Sequence, residues 1–376
     1  VTVLATTCAQ DRAAALFAAA EFADARDIYA AQVARNPADD AAHINLAQCH
    51  KRLGDWPLAG RHFRAGFEAR RRAARALAAP LSAFRVEHLT EQLLWLRGIG
   101  QARHCDDATI GELARMARLL RDCYGPHRAG PLPIPFADDI VALVDGCPHW
   151  PDVPVPDILF NTEPRVTTIL LGTDDDAIHV IDDVLTDDAL TALRRFLIEA
   201  TIWYDARPER RYLGAHLHDG LASDLMLRLI EDAPACFARF VGRVRIVQAW
   251  AFKYAPTAAG IDLHADQANW NFNIWPTPTE ANLDAATGGM TIAKFRAPPD
   301  WTFQQYNAAP ERHHAMLAAQ GIERMTIAYR GNRAVLFPSK YLHKTDDVRF
   351  SSAYDLRRIN LTFMAEPASH PTSQAR

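Results

Sequence analysis

With 376 residues and a formal net charge of −4, the chain exceeds one average domain and carries no basic block that would track a nucleic-acid backbone. No window reaches the run of about eighteen apolar residues that a membrane span needs, and the N-terminus VTVLATTCAQDR has no basic stretch leading into an apolar one. The expected setting is the cytoplasm, with neither membrane nor nucleic acid as partner. The cysteines at 8, 49, 105, 123, 147 and 236 stand singly, without CxxC spacing or the density of a disulfide scaffold, and read as isolated thiols of a reducing compartment.

Residues 1–90 show Ala-rich helical periodicity and an internal repeat: Phe22, Ala25 and Tyr29 recur 34 residues later as Trp56, Ala59 and Phe63. A small residue lets two helices approach, and an aromatic one turn later fills the groove behind it. Pro37 falls at the end of a helix, Leu46 on the apolar face of the next, and Gly54-Asp55 at a turn. On these residues the segment resembles tetratricopeptide repeats, which implies a protein partner or self-association through an all-α module. The Arg-rich stretch at 68–79 is expected to cap the stack or dock it on the C-terminal part of the chain.

Residues 91–165 are expected to be a connector. The helical patterns "HLTEQLLWLRGI" and "IGELARMARLLRDCYG" give way to "HRAGPLPIPFADD" and "CPHWPDVPVPD", whose prolines exclude regular helix.

From residue 166 to the end the texture is that of strands. "RVTTILL" and "IHVIDDV" precede an amphipathic helix, "TDDALTALRRFLIEA", with Thr186 placed to cap it. A further helix is followed by short runs over 245–254, 269–277, 288–295, 324–338 and 357–364, separated by Gly, Pro and Asn. This pattern predicts an α+β chain: an antiparallel jelly roll or sandwich with flanking helices, preceded by the all-α segment.

Three potential metal ligands lie in this region. His264 and Asp266 are two apart, so an extended backbone projects both from one side, roughly 7 Å apart at Cα, within reach of one metal. His343 comes later in "FPSKYLHKTDD", just after a strand. Two imidazoles and a carboxylate leave coordination positions open, as non-haem iron(II) oxygen chemistry requires. Fifteen residues on, strand alternation puts Arg358, Asn360 and Thr362 on one face and Arg357, Ile359, Leu361 and Phe363 on the other. An arginine's planar fork is the natural anchor for a carboxylate.

His264-x-Asp266, His343 and Arg358 together resemble the iron(II)- and 2-oxoglutarate-dependent dioxygenase superfamily, over roughly residues 175–366. The resemblance implies a double-stranded β-helix that binds Fe(II), 2-oxoglutarate and O2. It implies His264, Asp266 and His343 as metal ligands and Arg358 as the co-substrate anchor. Many members carry Arg-x-Ser, and here the third residue is Asn360. Tyr254, Asn271 and Asn273 are further candidates for holding the co-substrate. The activity implied is hydroxylation, or another oxidation, of an unactivated C–H bond in an amino acid, a peptide or protein side chain, or a biosynthetic intermediate, releasing succinate and CO2. The carboxylate of Asp266 argues against a halogenase, which needs that position small.

Gln248, Trp250, Trp275 and Arg296 are candidate substrate contacts, each equally readable as core or surface. His216, His218 and Asp219 lack a downstream partner, which favours a structural or substrate-edge role over metal binding. His313 and His314 fall in a polar helical stretch and are expected to be solvated. Two rivals remain: a repeat-bearing adaptor with a catalytically silent barrel, and a zinc hydrolase, which leaves Arg358 without a task.

Overall fold

The computed structural model describes residues 2–72, 80–102, 105–172 and 176–368. Four helices come first: α1 (Thr2–Ala18), α2 (Phe22–Arg35), α3 (Asp40–Leu53) and α4 (Trp56–Arg72), each packed against the next. All the recurring residues except the half-buried Phe22 are buried in this packing. Ala25 and Ala59 are fully buried, Tyr29 and Phe63 nearly or fully so, and Gly54 ends α3 at φ +84°, the left-handed conformation that glycine adopts without strain. Residues 73–79 of the arginine-rich stretch lie outside the described residues.

A short ribbon of β1 (Leu81–Ser82) with β2 (Ala129–Gly130) brackets α5 (Ala83–Gly98) and α6 (Asp107–Tyr124). The proline-rich stretches beyond them flank only the short helix α7 (Asp138–Asp145).

The next elements are β3 (Arg165–Leu170), β4 (Ala177–Asp182), α8 (Asp187–Glu199), β5 (Asp205–Arg207), β6 (Tyr212–His216), α9 (Asp224–Val241), β7 (Val244–Tyr254), β8 (Thr257–Ala258) and β9 (Trp270–Trp275). The chain continues through β10 (Met290–Arg296), α10 (Phe303–Asn307), α11 (Pro310–Ala319), β11 (Arg324–Ile327), β12 (Arg333–Pro338), β13 (Tyr341–Thr345), β14 (Val348–Arg349) and β15 (Ile359–Pro367). Thr186 caps α8 as expected, its hydroxyl accepting from the Ala189 amide.

Among the described residues every strand pair is antiparallel. Eight strands form one sheet in the order β3-β4-β12-β9-β15-β7-β6-β5, and three form a second in the order β11-β10-β13. Alternation assigns the two faces of the larger sheet. Phe272, Ile274, Leu336, Leu361 and Phe363 turn outward into a core shared with α8 and α9 and with Ala47, Trp56, Ala59 and Phe63 of the N-terminal helices. Val335, Phe337, Trp275 and Tyr254 turn inward and pack against Met290, Ile292 and Ile327 of the second sheet. The inward face of β9 and β15 also carries Asn271, Asn273, Asn360 and Thr362, polar groups where packing alone would favour apolar ones.

Two local readings differ from the sequence expectation. His343 does follow a strand, β12, but lies itself within the further strand β13, which the turn at Ser339 and Lys340 directs to pair with β10. His313 is completely buried: its ring nitrogens face the carbonyls of Leu263 (3.1 Å) and Gln305 (2.8 Å), and it stacks on Trp301. A polar helix face is solvated only where nothing packs on it, and here the 263–265 segment does. No helix among the described residues is long and apolar enough to cross a membrane.

Candidate metal centre

His264 and His343 are brought together by backbone pairing before any ligand is considered. The His264 amide donates to the His343 carbonyl at 3.0 Å and the His343 amide donates back at 2.8 Å, and the imidazole centroids lie 4.4 Å apart. The Asp266 amide donates to Ser339 O at 2.9 Å, which brings the third residue to the same point. One ligand atom from each of His264, Asp266 and His343 falls within 4.8 Å of the others.

The tautomers suit metal ligation. His264 Nδ1 donates to the Asp262 carbonyl at 2.7 Å and His343 Nδ1 to the Tyr341 carbonyl at 2.9 Å. With Nδ1 so engaged, each ring presents its Nε2 toward Asp266: His264 Nε2 is 4.0 Å from Oδ1, and His343 Nε2 is 3.5 Å from Oδ2. Asn271 Nδ2 donates to Asp266 Oδ2 at 2.7 Å and is itself oriented by Ser339, whose hydroxyl donates to Asn271 Oδ1 at 3.1 Å. Burial, reinforced by His343, pushes the His264 imidazole down to about 4. For Asp266 burial works upward, but His343, His264 and Asn271 outweigh it and hold the carboxyl well below the usual carboxylate range. A neutral imidazole and an ionised carboxylate are the protonation states a metal ligand needs.

Helix α11 braces this segment. Besides the contacts of His313, His314 Nε2 lies 2.7 Å from Asp262 Oδ1, on the residue whose carbonyl orients His264.

Beside the three residues lies a cavity of about 40 Å³, lined also by Trp250, Trp275, Asn271, Asn273, Asn360, Thr362 and Arg358. Asn273, Asn360 and Thr362 form a closed triangle of hydrogen bonds of 2.8 to 3.0 Å on its floor. Arg358 is 1% exposed. Its Nε donates to the Gly288 carbonyl at 2.7 Å, while its Nη1 is buried without a partner among the described residues. The guanidinium sits 4.9 Å from the Tyr254 ring, 5.7 Å from Trp275 and 5.8 Å from Tyr329, an aromatic box that excludes water around a cation. The Tyr254 hydroxyl is likewise buried and makes no hydrogen bond within 3.5 Å among the described residues, with Thr345 and Arg358 lying beside it.

Gln248 and Arg296 have other neighbours. Gln248 Oε1 accepts from Lys51 Nζ of α3 at 2.6 Å, and Arg296 pairs with Asp176 at 2.9 Å with its side chain 56% exposed. His216 pairs with Asp205 at 3.2 Å and stacks on His218, which pairs with Asp219 at 3.3 Å. These three residues form no second metal cluster among the described residues. Sequence reasoning missed Gly288-Gly289, although the doublet carries a signal: a Cβ at Gly289 would meet the Ile327 carbonyl at 2.0 Å, so only glycine lets the backbone pass.

No protein-family model and no curated protein sequence matches the chain. Solved structures similar to it include the non-heme alpha ketoglutarate dependent epimerase SnoN from nogalamycin biosynthesis, at 13% identity and TM-score 0.38, covering 54% of this chain and 88% of that one. HygX from Streptomyces hygroscopicus, with nickel and 2-oxoglutarate bound, is also 13% identical at TM-score 0.35, covering 52% and 85%. EctD from S. alaskensis is 13% identical at TM-score 0.36, covering 56% and 84%.

Proposed function

We propose that the chain is an iron(II)- and 2-oxoglutarate-dependent oxygenase acting on an unactivated C–H bond, its two facing sheets forming a double-stranded β-helix. One observation carries this reading. A cavity bounded by the Nε2 atoms of two imidazoles and by a carboxylate also holds a buried guanidinium whose Nη1 has no partner among the described residues. Burying an unpaired cationic donor is costly, so an anionic ligand is the expected occupant.

The residues present fit the group. His264, Asp266 and His343 would hold the metal, and Arg358 would take the distal carboxylate of 2-oxoglutarate. The Tyr254 hydroxyl and the Asn273 amide stand near as further donors, with Asn360 holding Asn273 through its own amide and Asn271 keeping Asp266 in place. When bound, iron with the keto acid and O2 supplies the oxidation, and succinate and CO2 leave. The protein's part is to orient the co-substrate through Arg358, to keep the aromatic box dry, and to leave the Trp250 side of the cavity for a substrate. An amino acid, a peptide side chain or a biosynthetic intermediate would each suit that side. The N-terminal helices, read as tetratricopeptide-like, would serve a partner or a second copy.

Anaerobic titration tests the reading. Iron(II) followed by 2-oxoglutarate should produce the weak visible charge-transfer band of a chelated keto acid. A zinc hydrolase or a silent barrel would give none.

A further inference from the structure

We infer that Thr277, which lies outside the cavity, is the positioning residue for Arg358. The inference rests on the proposed role of Arg358 as co-substrate anchor. Strand β9 ends at Trp275 and is followed by Pro276-Thr277-Pro278, while its partner β15 pairs with it only from Leu361 onward. The backbone on either side of Arg358 therefore has no strand on that edge. Pro276 could not supply one, since it has no N–H to donate.

The Thr277 hydroxyl takes the place of the missing ladder. It donates to the Arg357 carbonyl at 2.9 Å and accepts from the Ile359 amide at 3.0 Å, spanning the peptide units that flank Arg358. On the opposite edge the Arg358 carbonyl accepts from the Tyr254 amide at 3.0 Å. Thr277 is 2% exposed, so water cannot replace its hydroxyl. Its own backbone is fixed twice: it precedes Pro278, which confines it to extended conformations, and its carbonyl accepts from the Tyr329 hydroxyl at 2.7 Å. Tyr329 stacks on Trp275 at 5.2 Å, and both rings border the Arg358 guanidinium. One hydroxyl thus ties the backbone of the anchor to the wall of its box.

A methyl in place of that hydroxyl orphans a buried carbonyl and a buried amide on both sides of Arg358, letting the guanidinium shift from its position. The test is 2-oxoglutarate affinity, read as anaerobic visible absorbance with iron(II) and by calorimetry on the nickel(II)-loaded protein. Thr277→Val and Thr277→Ala should each weaken 2-oxoglutarate about tenfold with metal affinity unchanged, and Thr277→Ser should retain full affinity. In an Arg358→Ala background Thr277→Ala should add nothing. Should Thr277→Val fail to fold, the Ala and Ser variants carry the comparison. Unchanged 2-oxoglutarate affinity in Thr277→Ala, or an equal loss with and without Arg358, overturns the inference while the anchor stands. If Arg358→Ala itself leaves 2-oxoglutarate affinity intact, it is the proposed function that falls.

Discussion

Arg357 and Arg358 are adjacent in sequence and serve opposite faces of one sheet. Arg357 Nη2 reaches outward to Glu91 Oε2 of α5 at 2.7 Å, whereas Arg358 turns inward to the Gly288 carbonyl beside the candidate metal centre. Arg358→Ala is expected to raise the 2-oxoglutarate requirement at least about a hundredfold with metal binding retained, since a buried carboxylate that loses its partner forfeits roughly 3 to 5 kcal/mol. Arg357→Ala should act on stability instead. Titrations of both variants beside urea melts check the split, and a reversal would mean that the faces are exchanged.

Asp266→Ala removes one of the three proposed ligands at the edge of the inner core. Metal content after dialysis should fall to background while the far-ultraviolet circular dichroism stays unchanged. Asn271→Ala, which removes only the hydrogen bond orienting that carboxylate, is expected to weaken metal about ten- to a hundredfold.

Lys51 gives a pH signature. Burial pushes its ammonium down to about 8 from the ordinary 10.5, with Arg52 adding to the effect. Between these values the unfolded chain binds the extra proton, so stability rises with pH across that window. Below about pH 8 the full penalty, about 3 kcal/mol, is present. Lys51→Met should therefore be more stable than the parent at pH 7, and the difference should shrink as pH climbs to 10. Urea midpoints for the two proteins over that range decide it; a difference that does not vary with pH would refute it.

A chain beginning at residue 165 keeps every proposed ligand but uncovers the outer face of the large sheet. Trp56, Ala59 and Phe63 share the core of that face, Gln92 Nε2 donates to the carbonyls of Ile198, Glu199 and Ala200, and Glu91 pairs with Arg357. Such a chain is expected to bind metal and 2-oxoglutarate with a stability lower by more than about 3 kcal/mol. Metal binding by a soluble preparation, together with its denaturation midpoint, checks both halves.

What the sequence determined by itself was local or periodic. The 34-residue recurrence placed the buried pairs Ala25/Tyr29 and Ala59/Phe63, because helix packing repeats wherever the pattern does. Period-two alternation placed Arg358 with Asn360 and Thr362 on one face of a strand, because consecutive side chains on an extended backbone must diverge. Tertiary structure decided whatever depends on which segments meet. His313 is buried because the 263–265 segment packs on its helix, and Lys51 is spent on Gln248, 197 residues away. The Thr277 hydroxyl becomes a substitute for a strand only because β9 stops short of Arg358. Such hydrogen bonds join residues with no periodic relation, and their partners are chosen by the packing of sheets and helices.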